Sequence, residues 1–130
     1  ELIDISQNAL EVAKTNVIEY TTPIATLHSD LIASTTSDYD ILLCNLPYVP
    51  NDYVVNTSAE FEPKIALYAG PDGLDLYRKL FTQLSERPDV PLLLLTEALP
   101  TQHEALAELA GQNSYKLVKT DDFIQLFIAN

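Results

Sequence analysis

The residues best equipped for chemistry are Asn45-Leu46-Pro47-Tyr48, which close the apolar run Tyr39-Asp40-Ile41-Leu42-Leu43-Cys44. The side-chain oxygen of Asn45 can accept one N–H. The carbonyl of Leu46 can accept another, and Pro47 pins the local backbone because its φ is fixed and its predecessor is restricted. Tyr48 adds a ring face on which a planar group can stack. Two acceptors beside a flat ring suit one task, gripping a planar group that carries an amine. The plainer alternative is a proline-fixed turn in which Asn45 bonds only its own backbone.

These residues need a scaffold, and the flanking sequence supplies one. The run before Asn45 has the length and residue types of a buried strand, so the tetrapeptide falls at a strand's carboxyl end, where open α/β sheets bind ligands. Glu1-Leu2-Ile3-Asp4 reads as the end of an earlier strand. Ser6 is an N-cap for a helix running to about Tyr20, with Leu10, Ala13 and Val17 on one face. Residues 23–31 form a second strand ending in Ser29-Asp30, before a polar loop, 34–37. Residues 50–73 lack a clear period and carry Pro50, Pro63 and Pro71, as functional loops often do. Leu74, Tyr77, Leu80, Phe81 and Leu84 define an amphipathic helix with Asp72 near its start. A strand over 91–97 precedes a helix with a capping box of Thr101 and Glu104, ended by Gly111. Strands over 115–120 and 123–129, joined by Asp121-Asp122, finish the chain. Alternating strands and helices with a closing strand pair imply an α/β sheet, mostly parallel with an antiparallel end.

At 130 residues, 47% of them hydrophobic, the chain is the size of one domain. No window is long or apolar enough to span a membrane. Nineteen acidic against 7 basic residues give a net charge of −12, which weighs against binding a phosphate backbone. The single Cys44 cannot form an intrachain disulfide and fits a reducing, cytoplasmic compartment. Its burial as a small core residue is expected. His28 and His103 have no neighbouring Cys, so no zinc spacing exists and no metal is expected.

The motif is the Asn-X-Pro-Tyr pattern of methyltransferases that alkylate amide or exocyclic amino nitrogens. Asp4-Ile5-Ser6, Ala9-Leu10, Ala13 and Asn16 resemble the second-strand and helix signature of the HemK/PrmC-type protein glutamine methyltransferases. Asn45-Leu46-Pro47-Tyr48-Val49-Pro50 resembles their catalytic motif. The stretch from Phe61-Glu62-Pro63 through Ala66-Leu67, Ala69-Gly70 and Asp72-Gly73-Leu74-Asp75 to Tyr77-Arg78 is similar to the family's segment after that motif. Glu97 and Gln102 fall where the family carries a strand-end Glu and a following Gln. There are departures: Leu46 stands where Pro is usual, Ala98 replaces a usual Gly, and residues 123–126 lack the usual Gly and Arg.

The resemblance implies a Rossmann-like class I fold and S-adenosylmethionine as cofactor. It also implies methyl transfer to the side-chain amide of the glutamine in a release factor's Gly-Gly-Gln loop. Asn45, Leu46, Pro47 and Tyr48 would be catalytic. Asp4 would take the ribose hydroxyls with Ile5 beside it, Asp30 and Leu31 would lie toward the adenine, and Asn45 would touch cofactor and substrate alike. Glu62 and Pro63 would shape the substrate loop together with Asn45, Pro47 and Tyr48. The family's first strand and Gly-rich turn have no counterpart here, so residues 1–130 read as a partial catalytic domain, inactive alone. The absent strand would lie between those ending at Asp4 and Asn45, leaving unpaired edges through which the chain could self-associate. Two other readings stay open: an adenine-N6 methyltransferase of RNA or DNA, and a non-catalytic truncated methyltransferase acting as an interaction partner.

Overall fold

Short runs of β-branched residues and leucine alternate with helices whose apolar residues recur every three or four positions, and the chain folds accordingly. The structure, a computed structural model, describes residues 1–18, 20, 23–55, 57 and 59–130. It divides into two units, Glu1–Ser37 and Asp38–Asn130.

The first unit is a β-α-β element. Strand β1 (Leu2–Asp4) pairs in parallel with β2 (Thr26–His28), with Asp4 opposite His28. Helix α1 (Gln7–Val17) links them, and the Ser6 hydroxyl caps it by accepting the Ala9 N–H at 3.3 Å. Leu10 is the buried residue of its inner face. The helix stops earlier than the periodicity predicts, where Thr15, Val17 and Ile18 place β-branched side chains in its final turn. Glu19, within the predicted helix, lies outside the described residues. The second strand is also shorter than predicted: Ser29 N–H still reaches the Asp4 carbonyl at 3.1 Å, but Asp30–Ala33 turns back on itself, with Leu31 at φ 55°.

The second unit carries a four-stranded sheet in the order β3-β4-β6-β5. Strands β3 (Ile41–Cys44) and β4 (Leu93–Glu97) run parallel. Strands β5 (Tyr115–Asp121) and β6 (Ile124–Ala129) form an antiparallel hairpin whose β6 lies antiparallel to β4. One sheet face places Cys44, Leu94, Thr96, Gln125 and Phe127 in the buried interior. Helix α2 (Asp75–Ser85) contributes Tyr77, Leu80, Phe81 and Leu84 to that interior, and helix α3 (His103–Gln112) contributes Leu106 and Ala110. Phe81 meets Tyr115 with ring centroids 6.1 Å apart, a tilted aromatic pair. Among the described residues β1 and β3 each pair along one edge alone, the unpaired edges that the sequence leads one to expect.

Three local expectations need correction. Thr101 and Glu104 form no capping box: Pro100 opens a 3-10 turn ahead of α3, and Gln102 reaches back to accept the Leu99 N–H at 2.9 Å. Gly111 does not end α3, because Asn113 Nδ2 donates to the Leu109 carbonyl at 2.8 Å and Ser114 takes the left-handed position at φ 65°. The hairpin turn is Asp122-Phe123 rather than Asp121-Asp122. A register shift between Leu117 and Lys119 carries Asp121 into pairing with Ile124, and Asp122 takes the turn's φ of 49°.

The segment after Asn45 is more ordered than its composition implies. Two 3-10 turns, Ala59–Phe61 and Lys64–Ala66, lead into a return crossing against the motif. Val49 donates to the Leu67 carbonyl at 2.8 Å and accepts from Ala69 N–H at 3.0 Å, and Asn51 N–H reaches the Gly70 carbonyl at 2.9 Å. The loop that distinguishes this sequence is therefore pinned to the residues that follow Tyr48.

Candidate active site

Strand β3 ends with Cys44, so Asn45-Leu46-Pro47-Tyr48 emerges at its carboxyl end. The run is not the buried strand its residue types imply: Ile41 and Leu43 are exposed and only Cys44 is buried, because β3 lies at the edge of its sheet. The four residues line a cavity of about 420 Å³ together with Glu62, Glu97 and Leu99. Asn45 is exposed, whereas Leu46, Pro47 and Tyr48 are half-buried. Pro63 does not line the cavity; it is exposed at the start of the Lys64–Ala66 turn.

The Tyr48 hydroxyl donates to Glu97 Oε1 at 2.9 Å. Partial burial, followed by the neighbouring Glu97 and Glu62 carboxylates, pushes the Tyr48 pKa up to about 12, so the group stays a neutral donor. Glu97 thus holds the hydroxyl end of a ring that lines the cavity.

Backbone braces surround the motif. Gln102, 6% exposed, donates from Nε2 to the Tyr48 carbonyl and to the Asp72 carbonyl, each at 2.7 Å. Gly73, at φ 76°, packs so closely that a Cβ would run into the Tyr48 carbonyl oxygen and Gln102 Nε2, which is why glycine stands there. Asp72 accepts the Leu74 N–H at 3.1 Å at the start of α2 and forms an ion pair with Arg78. That guanidinium holds the Asp72 carboxyl down at about 2. The Tyr77 hydroxyl lies between the ends of β3 and β4, 2.6 Å from the Glu97 carbonyl and 3.2 Å from the Cys44 carbonyl.

Cys44 is buried, and loss of solvation raises its thiol pKa to about 12, as befits a packing residue. His103 is half-buried with Nε2 3.3 Å from the Ala98 carbonyl, and the exposed His28 has Nε2 2.9 Å from the Ile5 carbonyl. Among the described residues no group of three His, Cys, Asp or Glu side chains could hold a metal ion. No described helix is long and apolar enough to cross a membrane.

The expected cofactor residues Asp4, Ile5, Asp30 and Leu31 belong to the Glu1–Ser37 unit. Asp4 ends β1, where its Oδ1 accepts the Ser6 N–H at 2.7 Å. Asp30 follows β2, the strand beside β1, by two residues. Two carboxylates thus stand at or just past the ends of two adjacent parallel strands, with one Asp4 oxygen engaged locally.

Sequence reasoning assigned no role to Glu97 and read Tyr77 as core alone. An acid closing an otherwise apolar strand was the available signal for Glu97. For Tyr77, nothing in a helical stripe reveals what a hydroxyl at the ring's far end will meet.

A four-stranded sheet with parallel β3 and β4, an antiparallel β5–β6 finish and helices between strands is methyltransferase architecture. A ribosomal protein L11 methylase from Lactobacillus delbrueckii subsp. bulgaricus superposes with a TM-score of 0.61 at 14% identity, over 98% of this chain and 55% of that one. The release factor glutamine methyltransferase of Caulobacter vibrioides is 34% identical over 140 residues, covering 98% of this chain and 48% of the relative. The ribosomal protein uL3 glutamine methyltransferase of Neisseria meningitidis serogroup A is 35% identical over 101 residues, covering 75% of this chain and 33% of the relative. The chain belongs to this family of protein glutamine methyltransferases, and spans about half the length, or less, of these two curated members. No family model matches the sequence.

Proposed function

We propose that this chain contributes the catalytic motif of a methyltransferase that uses S-adenosylmethionine to methylate the side-chain amide nitrogen of a protein glutamine. The substrate would be the Gly-Gly-Gln loop of a peptide-chain release factor. The observation that supports this best is the cavity in which Asn45, Leu46 and Tyr48 converge at the end of β3.

An amide nitrogen is a weak nucleophile because its lone pair is delocalised into the carbonyl. Asn45 Oδ1 and the Leu46 carbonyl accept its two N–H groups, which fixes the direction of the lone pair. The Tyr48 ring covers the planar amide, and Glu97 keeps that ring from turning. As positive charge grows on nitrogen, the same two oxygens stabilise it, and one N–H proton is then lost to water. S-adenosylmethionine, when bound, supplies a methyl group on a sulfonium. Asp4 would hold its ribose hydroxyls with Ile5 alongside, and Asp30 and Leu31 would lie at the base. With leucine at position 46 in place of the family's usual proline, the backbone acceptor is retained.

The test is Asn45→Ala in the intact natural polypeptide that contains this sequence. Methyl transfer to a Gly-Gly-Gln peptide should be abolished, while S-adenosylhomocysteine binding by calorimetry stays largely unchanged. Equal loss of binding and transfer would make Asn45 structural. Transfer to adenine in RNA but not to the peptide would replace glutamine as the substrate.

A further inference from the structure

We propose that Tyr77 is a positioning residue whose hydroxyl fixes the Cys44–Asn45 peptide at the end of β3, and with it the Asn45 side chain that accepts the substrate N–H. The ring is fully buried on α2, where phenylalanine would fill nearly the same volume. Its hydroxyl needs partners at that depth, and all of them are backbone groups at the site. The hydroxyl donates to the Glu97 carbonyl at 2.6 Å, with the Cys44 carbonyl 3.2 Å away. It accepts the Glu97 N–H at 3.2 Å.

One oxygen atom therefore joins the last residue of β3, whose carbonyl is bonded to Asn45, and the last residue of β4. Glu97 is the residue whose side chain holds Tyr48, so the same hydroxyl sets both the backbone at Asn45 and the anchor of the ring. The chain contains its own comparison. Tyr115 is also buried, and its hydroxyl donates to a single carbonyl, that of Pro91, at 2.8 Å. Pro91 precedes β4, at the end of that strand away from Asn45. Removing either hydroxyl takes a buried bond from the fold, but only Tyr77 binds the residue next to the motif.

The catalytic part of this inference rests on the glutamine-methylation reading; the contacts to Cys44 and Glu97 do not. The test compares Tyr77→Phe with Tyr115→Phe in the intact natural polypeptide, using tritiated S-adenosylmethionine and a Gly-Gly-Gln peptide. Tyr77→Phe should lower kcat roughly tenfold or more, because small displacements of reacting groups are costly, and leave the KM for S-adenosylmethionine unchanged. Tyr115→Phe should leave kcat within about twofold of the parent, since its bond lies outside the motif. Equal kcat in the two variants would overturn the proposal. Amide hydrogen exchange provides an arm independent of turnover: Tyr77→Phe should speed exchange at Glu97, whose N–H the hydroxyl accepts, and Tyr115→Phe should not. Unchanged exchange at Glu97 in Tyr77→Phe overturns the proposal whether or not the peptide is methylated. A parent protein that leaves the peptide unmethylated counts instead against the methylation reading.

Discussion

Replacing Gln102 with leucine keeps most of the side-chain volume and removes three hydrogen bonds at once. The lost bonds are Nε2 to the Tyr48 and Asp72 carbonyls, each 2.7 Å, and Leu99 N–H to Oε1, 2.9 Å. A net contribution of about 1 kcal/mol per bond gives a destabilisation of about 3 kcal/mol. That lies above the usual range of surface substitutions and is a large fraction of the roughly 6–20 kcal/mol expected for a chain of this size. Urea unfolding of the Gln102→Leu variant against the parent measures it, with unchanged m-value as the sign that the native fold is kept. Gln102→Glu sharpens the result. A carboxylate still accepts from Leu99 but faces two carbonyl oxygens with nothing to donate, so this variant should be as unstable as leucine at neutral pH. It should recover partly as acid protonates the carboxyl and restores one donor. A loss below about 1 kcal/mol for leucine would refute the argument, since it would mean the brace between the motif, α2 and α3 is not made in solution.

Thr96 Oγ1 is buried with no hydrogen-bond partner among the described residues, so Thr96→Val should be neutral or raise stability by up to about 1 kcal/mol in thermal melts. The Arg78–Asp72 pair is about half exposed, and Arg78→Met should cost less than about 1 kcal/mol, shrinking further in high salt. Arg78 depresses the Asp72 pKa to about 2 from the ordinary 3.8 of an aspartate. The deficit of Arg78→Met should therefore be full above about pH 4 and vanish as pH falls through about 2. A deficit that persists unchanged at pH 2 would assign it to lost packing of the arginine stem.

Local chemistry made most of the elements legible. Ser6 announced α1, the apolar run before Asn45 announced β3, and the Leu74 to Leu84 stripe announced α2, because each signal lies within one or two turns or strand lengths of what it specifies. The misread boundaries were contests between neighbours. Pro100 outranked Thr101 as a helix start, Asn113 and Ser114 displaced Gly111 as the end of α3, and a register shift between Leu117 and Lys119 moved the last turn by one residue. The motif itself was legible as chemistry, since Asn, a proline-held carbonyl and Tyr have few joint uses. Its supports were not. Tyr77, Glu97 and Gln102 each reach a group 20 to 54 positions away, and no period in the sequence encodes contacts that only the folded sheet creates.

The burial of Cys44 makes the chain its own reporter. It is the sole thiol in the sequence, it closes β3 immediately before Asn45, and as a neutral, shielded group it reacts slowly while the strand is in place. Alkylation by a maleimide therefore clocks the opening of the strand that carries the motif, with no introduced label and no second cysteine to confuse the signal. Substrate or cofactor that steadies the end of β3 would slow that clock, turning a packing residue into an assay for occupancy of a site several atoms away.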